Sequence, residues 1–241
     1  MPKQHEAFGI ALGDTPQAVL TLLGEQYKAC RLVKAVYRAV PGEAAAHTAS
    51  LAINPGLTAH DPGTQDLCTY SPAGDGVTDA IDARFLHPSI DAQQPLYFLE
   101  VQRSYPDVVS LPRAVARNSF DDVRGALFRL YGRPIDEKRE RIVSSAANRA
   151  VSLGIAGNVK REDYLVRYLW AAAGRLASVE HEDAGCECDG RYVKAVLEIT
   201  RSPMTIPRNK FYVLSIKVVV EDVSGRRRQD AWNAQWRRSG K

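Results

Sequence analysis

Histidine stands beside carboxylate twice in this chain, at His60-Asp61 and at His181-Glu182-Asp183. An imidazole oriented by an acid is the base of a nucleophilic triad, and imidazole with carboxylate is also the beginning of a metal site. Both patches lie in polar, loop-like sequence, where solvated side chains are the expectation. His5, His47 and His87 stand in terminal or loop contexts as well. A metal on His181, Glu182, Asp183 and the nearby cysteines would have irregularly spaced ligands, so neither a metal nor a cofactor is expected. Carboxylates paired across a cleft hydrolyse glycosides, and Glu100, Asp107, Glu198, Glu221 and Asp222 are the candidates. Alternation within strands turns Glu100 and Glu198 outward, and Asp222, after a long apolar run, is placed to cap the next turn. The glycines of Gly9-Ile10-Ala11-Leu12-Gly13 lack the spacing and the preceding strand of a phosphate loop, and they are expected to shape a turn into a helix. No residue is assigned a catalytic role. The enzymatic alternative is a small hydrolase with acids such as Glu100 and Glu198 and a loop histidine between two halves of the chain.

Four cysteines, Cys30, Cys68, Cys186 and Cys188, are candidates for one or two disulfides. Cys186-Glu187-Cys188 is too tight for a redox or zinc half-site. Disulfides would fit an exported protein and four thiols a cytosolic one.

The segment with the most distinctive surface chemistry runs from Ser224 to Lys241. Arg226, Arg227 and Arg228 precede Trp232 and Trp236, which are four apart and share one face of a helix, and Arg237 and Arg238 follow. Six basic residues against Asp230 give this segment +5. The chain totals +4, so the other 223 residues sum to −1. The body is neutral, unlike a nucleic-acid-binding domain with charge spread over a folded face. The segment could lie on an anionic membrane surface or stack on single-stranded nucleic acid. It could instead fold back, burying both indoles while the arginines keep the end soluble.

Elements that position these groups follow from patterning. At 241 residues the chain can bury a large core or two smaller ones. No apolar run approaches the roughly 20 residues of a membrane span. The opening Met1–Glu6 lacks the apolar core of a secretion signal, which leaves cytoplasm and envelope both open. A first helix is expected from Pro16 to about Leu23, capped by Thr15, ended by Gly24, and apolar at Val19, Leu22 and Leu23. A second runs from Ser119, with Asp122 completing a capping box, through Val123, Leu127 and Leu130 to Gly132. Strands are expected at 31–40, 50–53, 67–70, 79–86, 96–105, 164–170, 192–200 and 211–220, and 142–153 fits either type. The two helices align, with Thr15 on Ser119, Val19 on Val123 and Leu23 on Leu127, and strong strands follow each. This predicts an α+β fold of two related helix-plus-antiparallel-sheet units in tandem, residues 1–108 and 109–223, helices packed on one sheet face, with 224–241 as a basic tail.

The opening Phe8-Gly9-Ile10-Ala11-Leu12-Gly13-Asp14-Thr15-Pro16-Gln17-Ala18-Val19 resembles the start of small bacterial envelope modules of the BamE/SmpA type. Tandem modules of similar shape occur in the β-lactamase-inhibitor-protein family. The resemblance covers about 16 residues, with an echo at Ser119–Gly132, and the chain departs from it in showing no lipidated cysteine near its start. It implies an exported, non-enzymatic protein-binding module of the periplasm.

Overall fold

A computed structural model describes residues 5–26, 49–53, 77–105, 119–142, 162–176, 186–201 and 210–238, with backbone alone for 49–53, 78 and 186. The strands expected at 31–40 and 67–70, and His47, His60, Asp107 and His181, lie outside the described residues. The chain opens with a hairpin, β1 (Glu6–Ala7) and β2 (Ile10–Ala11), and helix α1 (Pro16–Gln26). Strands β3 (Ala49–Ile53), β4 (Thr78–Phe85) and β5 (Leu96–Ser104) follow, then helix α2 (Phe120–Tyr131). Next come β6 (Asp136–Ile142), β7 (Glu162–Ala171), a small hairpin of β8 (Gly174–Leu176) and β9 (Cys186–Cys188), β10 (Arg191–Arg201) and β11 (Tyr212–Asp222). Helix α3 (Val223–Arg238) continues from β11 without a loop.

Seven of these strands form one antiparallel sheet in the order β3-β4-β5-β11-β10-β7-β6. The protein is therefore α+β. The strands of 49–104 and those of 136–222 meet at the middle, where β5 and β11 are paired from Ser104↔Ser215 to Phe98↔Glu221. No gap separates the two sets within the sheet.

Period-two alternation gives the sheet two different faces. Ile81, Leu99, Val101, Val166, Tyr168, Trp170, Val193, Leu197 and Val218 point to the inner face and form one apolar core with Val19 and Leu23 of α1 and Leu127 and Tyr131 of α2. Both helices thus cover the same face. Both are capped at their starts, and α2 also at its end, as the sequence suggests. Thr15 Oγ1 accepts from the Ala18 amide at 3.3 Å, and Ser119 Oγ accepts from the Asp122 amide at 3.2 Å. The Gly132 amide donates to Phe128 O at 2.9 Å, closing α2. One boundary differs: α1 runs through Gly24 to Gln26, because a helix whose Val19 and Leu23 are both buried gains more from continuing than glycine loses by helical φ and ψ, about 1 kcal/mol. Trp170 fixes α2 over the sheet. Its indole Nε1 donates to Gly132 O at 2.9 Å, and its ring meets Tyr131 at 5.1 Å between centroids.

The opposite, outer face carries charged and polar side chains such as Glu100, Lys217, Lys194 and Arg167, with a second, smaller apolar cluster of Leu169, Ala171, Leu176, Tyr192, Val219 and Val223. Phe98 and Cys188 pack against that cluster. Val223 belongs to α3, so the basic tail is a folded helix seated on the face that α1 and α2 leave open.

Candidate protein-binding surface

The site is built from the end of β11 outward. Asp222 is the N-cap of α3: its Oδ1 accepts from the Ser224 amide at 2.9 Å and the Gly225 amide at 3.2 Å, and its Oδ2 accepts from Arg191 Nε at 3.2 Å. Partial burial opposes ionisation of this carboxyl. Hydrogen bonds from Ser224 and Gly225, and the charge of Arg191, outweigh that and hold its pKa below the usual 3.8. One residue earlier, Glu221 is buried under the helix, where the Tyr192 hydroxyl donates to its Oε2 and Arg226 Nη1 lies 3.0 Å from its Oε1. Burial and the neighbouring Glu221 charge push the Tyr192 phenol far up.

The helix is then drawn onto β5 and the loop before it. Gly225 lies so close to Tyr97 that a Cβ there would stand 2.5 Å from the Tyr97 Cβ, which is why no larger residue fits. Burial raises the Tyr97 phenol to about 12. Gln229 is buried, accepts from the His87 amide at 2.9 Å through Oε1, and donates through Nε2 to Asn233 at 3.2 Å. Above these contacts the His87 ring stacks on Trp232 at 3.9 Å, and Trp232 stacks on Trp236 at 5.4 Å, with interplanar angles of 19° and 22°. The three rings form a ladder along the margin of the helix, and both indoles are half-buried.

The arginines divide into two groups. Arg226 is engaged with Glu221, and Arg227 Nη2 lies 3.0 Å from Asp189, a pair exposed on both sides and worth little. Arg228, Arg237 and Arg238 are exposed and have no acidic partner among the described residues. The outward line of the helix reads Arg227, Ala231, Ala234, Arg238, at i, i+4, i+7 and i+11. It carries no large apolar side chain. Every proposed binding residue therefore lies on one helix, Trp232 and Trp236 along its docked margin and the arginines toward solvent.

The other sequence candidates separate. Glu100 is paired with Lys217 at 3.3 Å. It faces outward as Glu198 does, opposite Val219, whereas Glu198 is opposite Ser215, four residues along the same strand. They do not make one site. Asp222 caps, as its position suggested. Cys188 is disulfide-bonded, and Cys30 and Cys68 lie outside the described residues. Among the described residues no three metal-ligating side chains come together, and no helix is long and apolar enough to cross a membrane. His87, Gln229 and Tyr97 were not legible as members of the site. The first of these contacts spans 142 positions of sequence, and the only local signal was the run Gln229, Trp232, Asn233, Trp236 at spacings of three and four.

Compared with protein families, curated proteins and solved structures, the chain matches none of them.

Proposed function

We propose that this chain is a non-catalytic binding protein of the bacterial cell envelope that recognises an acidic segment of a partner protein through the exposed side of α3. The observation that carries it is the set Arg228, Arg237 and Arg238, exposed and with no acidic partner among the described residues, beside rings already held in place. Guanidinium forks match carboxylates bidentately, and Arg and Trp are the residues that most often anchor interfaces. Because α3 is already folded and docked through Gly225, Gln229 and Asp222, binding need not order it. The disulfide at Cys188 supports an oxidising compartment. The opening Phe8–Val19, which resembles exported binding modules, supports the same setting.

Membrane and nucleic-acid readings of the same helix are weaker for stated reasons. A helix lying on a bilayer needs an apolar face turned to the lipid, and the outward line here is arginine and alanine. A base stacks on an open ring face, and the Trp232 ring is already stacked with both His87 and Trp236.

Tryptophan fluorescence tests the choice. A peptide of alternating Glu and Ala should change the Trp232/Trp236 emission saturably at low salt. Arg228→Glu, Arg237→Glu and Arg238→Glu combined should remove that response while leaving Tm unchanged. Binding of oligo-dT or of phosphatidylglycerol vesicles in preference to the peptide would overturn the proposal.

A further inference from the structure

On the other side of the sheet, far from α3, lies a cleft of about 230 Å³ between α2 and the central strands. Its lining includes Val123 and Leu127 of α2, Ile216 of β11, and Phe8, Arg103 and Tyr105. Ala126 of α2 lines it too and is exposed, so a longer side chain there would take up part of the space.

Phe8, Arg103 and Tyr105 are linked to one another. Phe8 occupies the left-handed region at φ 55°, the first central residue of the β1–β2 turn, and Gly9 follows at φ 81°. A bulky residue seldom adopts that conformation. Its ring is held over the Arg103 guanidinium at 4.4 Å. Tyr131 ties the hairpin to α2 by donating to Glu6 O at 2.7 Å. Arg103 in turn reaches Asp79 with Nε at 2.7 Å and Nη2 at 2.9 Å, and the Asp79 side chain is fully buried. The Tyr105 hydroxyl is hydrogen-bonded to Arg103.

We propose that this cleft binds a neutral single-ring aromatic molecule bearing one hydrogen-bond-accepting oxygen, with the ring between Val123, Leu127 and Ile216 and the oxygen at Arg103 and Tyr105. Size sets the ring: an apolar protein cavity of about 150 Å³ admits benzene, so the larger volume here takes a ring with a short substituent. Charge sets neutrality. Arg103 is already balanced by Asp79, and an anionic ligand would bring a second negative charge toward a buried carboxylate. The site shares no residue with the α3 surface, so either can fail without the other.

Acetophenone, benzoate and toluene test it, because the first two are nearly the same shape and differ in charge, and the third lacks the oxygen. Each is titrated into isotope-labelled protein at neutral pH and followed by amide chemical shifts. Acetophenone should give saturable shifts over residues 123–131 and 216–218, with benzoate at least about tenfold weaker and toluene several-fold weaker. Ala126→Leu, at an exposed helical position, should abolish the shifts with an unchanged circular dichroism spectrum and Tm. Tyr105→Phe should weaken acetophenone and leave toluene as it was. Benzoate binding as tightly as acetophenone, no saturable shift with any probe, or full binding by the Ala126→Leu protein would each overturn the proposal.

Discussion

At the scale of the residue, Asp222 joins sheet to helix and does so as an anion. Its folded pKa lies below the unfolded value near 3.8, so its contribution to stability is present above pH 3.8 and is lost as the pH falls through the folded value. Urea unfolding should therefore show an acid limb below pH 3.8 that is flatter in Asp222→Asn than in the parent. At neutral pH, Asp222→Ala should cost about 1 kcal/mol, the usual value of an N-cap, and Asp222→Asn less, since asparagine also caps. An unchanged acid limb in Asp222→Asn would remove Asp222 from this role. The cap was legible because an acid directly after a long apolar strand has few other uses. The His87 stack was not, since imidazole in a Leu86-His87-Pro88 loop carries no local sign of the indole it meets.

At the scale of the element, α3 belongs to the folded body. It covers Phe98, Tyr192 and Val219, so deleting residues 224–241 should do more than remove a charged appendage. The truncated protein should bind a dye for exposed apolar surface, and its Tm should fall by several degrees. The triple Arg→Glu protein should keep its Tm, because substitutions at exposed positions seldom move stability by more than about 0.5 kcal/mol. A truncation that melts like the parent would mean the helix is not docked in solution. The strands that alternate visibly, β5, β7, β10 and β11, were legible from pattern alone. Strand β6 was not. Its sequence Asp136-Glu137-Lys138-Arg139-Glu140-Arg141-Ile142 holds six charges in seven residues, with no apolar face to announce it. Its place explains the composition: it is the sheet's edge, where charge hinders pairing with another chain. Arg139 still packs, lying 4.2 Å from the Tyr164 ring and 4.5 Å from that of Phe211.

At the scale of the whole molecule, the outer face is held by α3 and by the β8–β9 hairpin. That hairpin is tied to β6, with Asp136 Oδ2 accepting from the Leu176 amide at 3.0 Å and Lys138 Nζ donating to Leu176 O at 3.0 Å. Cys188 adds a covalent tie. Reduction under native conditions should lower stability by about 2–4 kcal/mol, seen as a lower denaturation midpoint. Thiol titration of denatured, unreduced protein should find at most two of the four cysteines reactive. Four reactive thiols would remove both the tie and the case for an oxidising compartment. Spacing alone could not decide between disulfide and thiol, because connectivity is a property of the fold.

The pairing of β5 with β11 also sets an order of events in time. The sheet's middle strand is synthesised more than a hundred positions after β5, the strand it completes. Until it arrives, the flank of β5 that it will cover presents open amides and carbonyls next to Leu99 and Val101. Contacts of such long sequence separation make folding slow. A sheet of this topology stays open at its centre until β11 is in place.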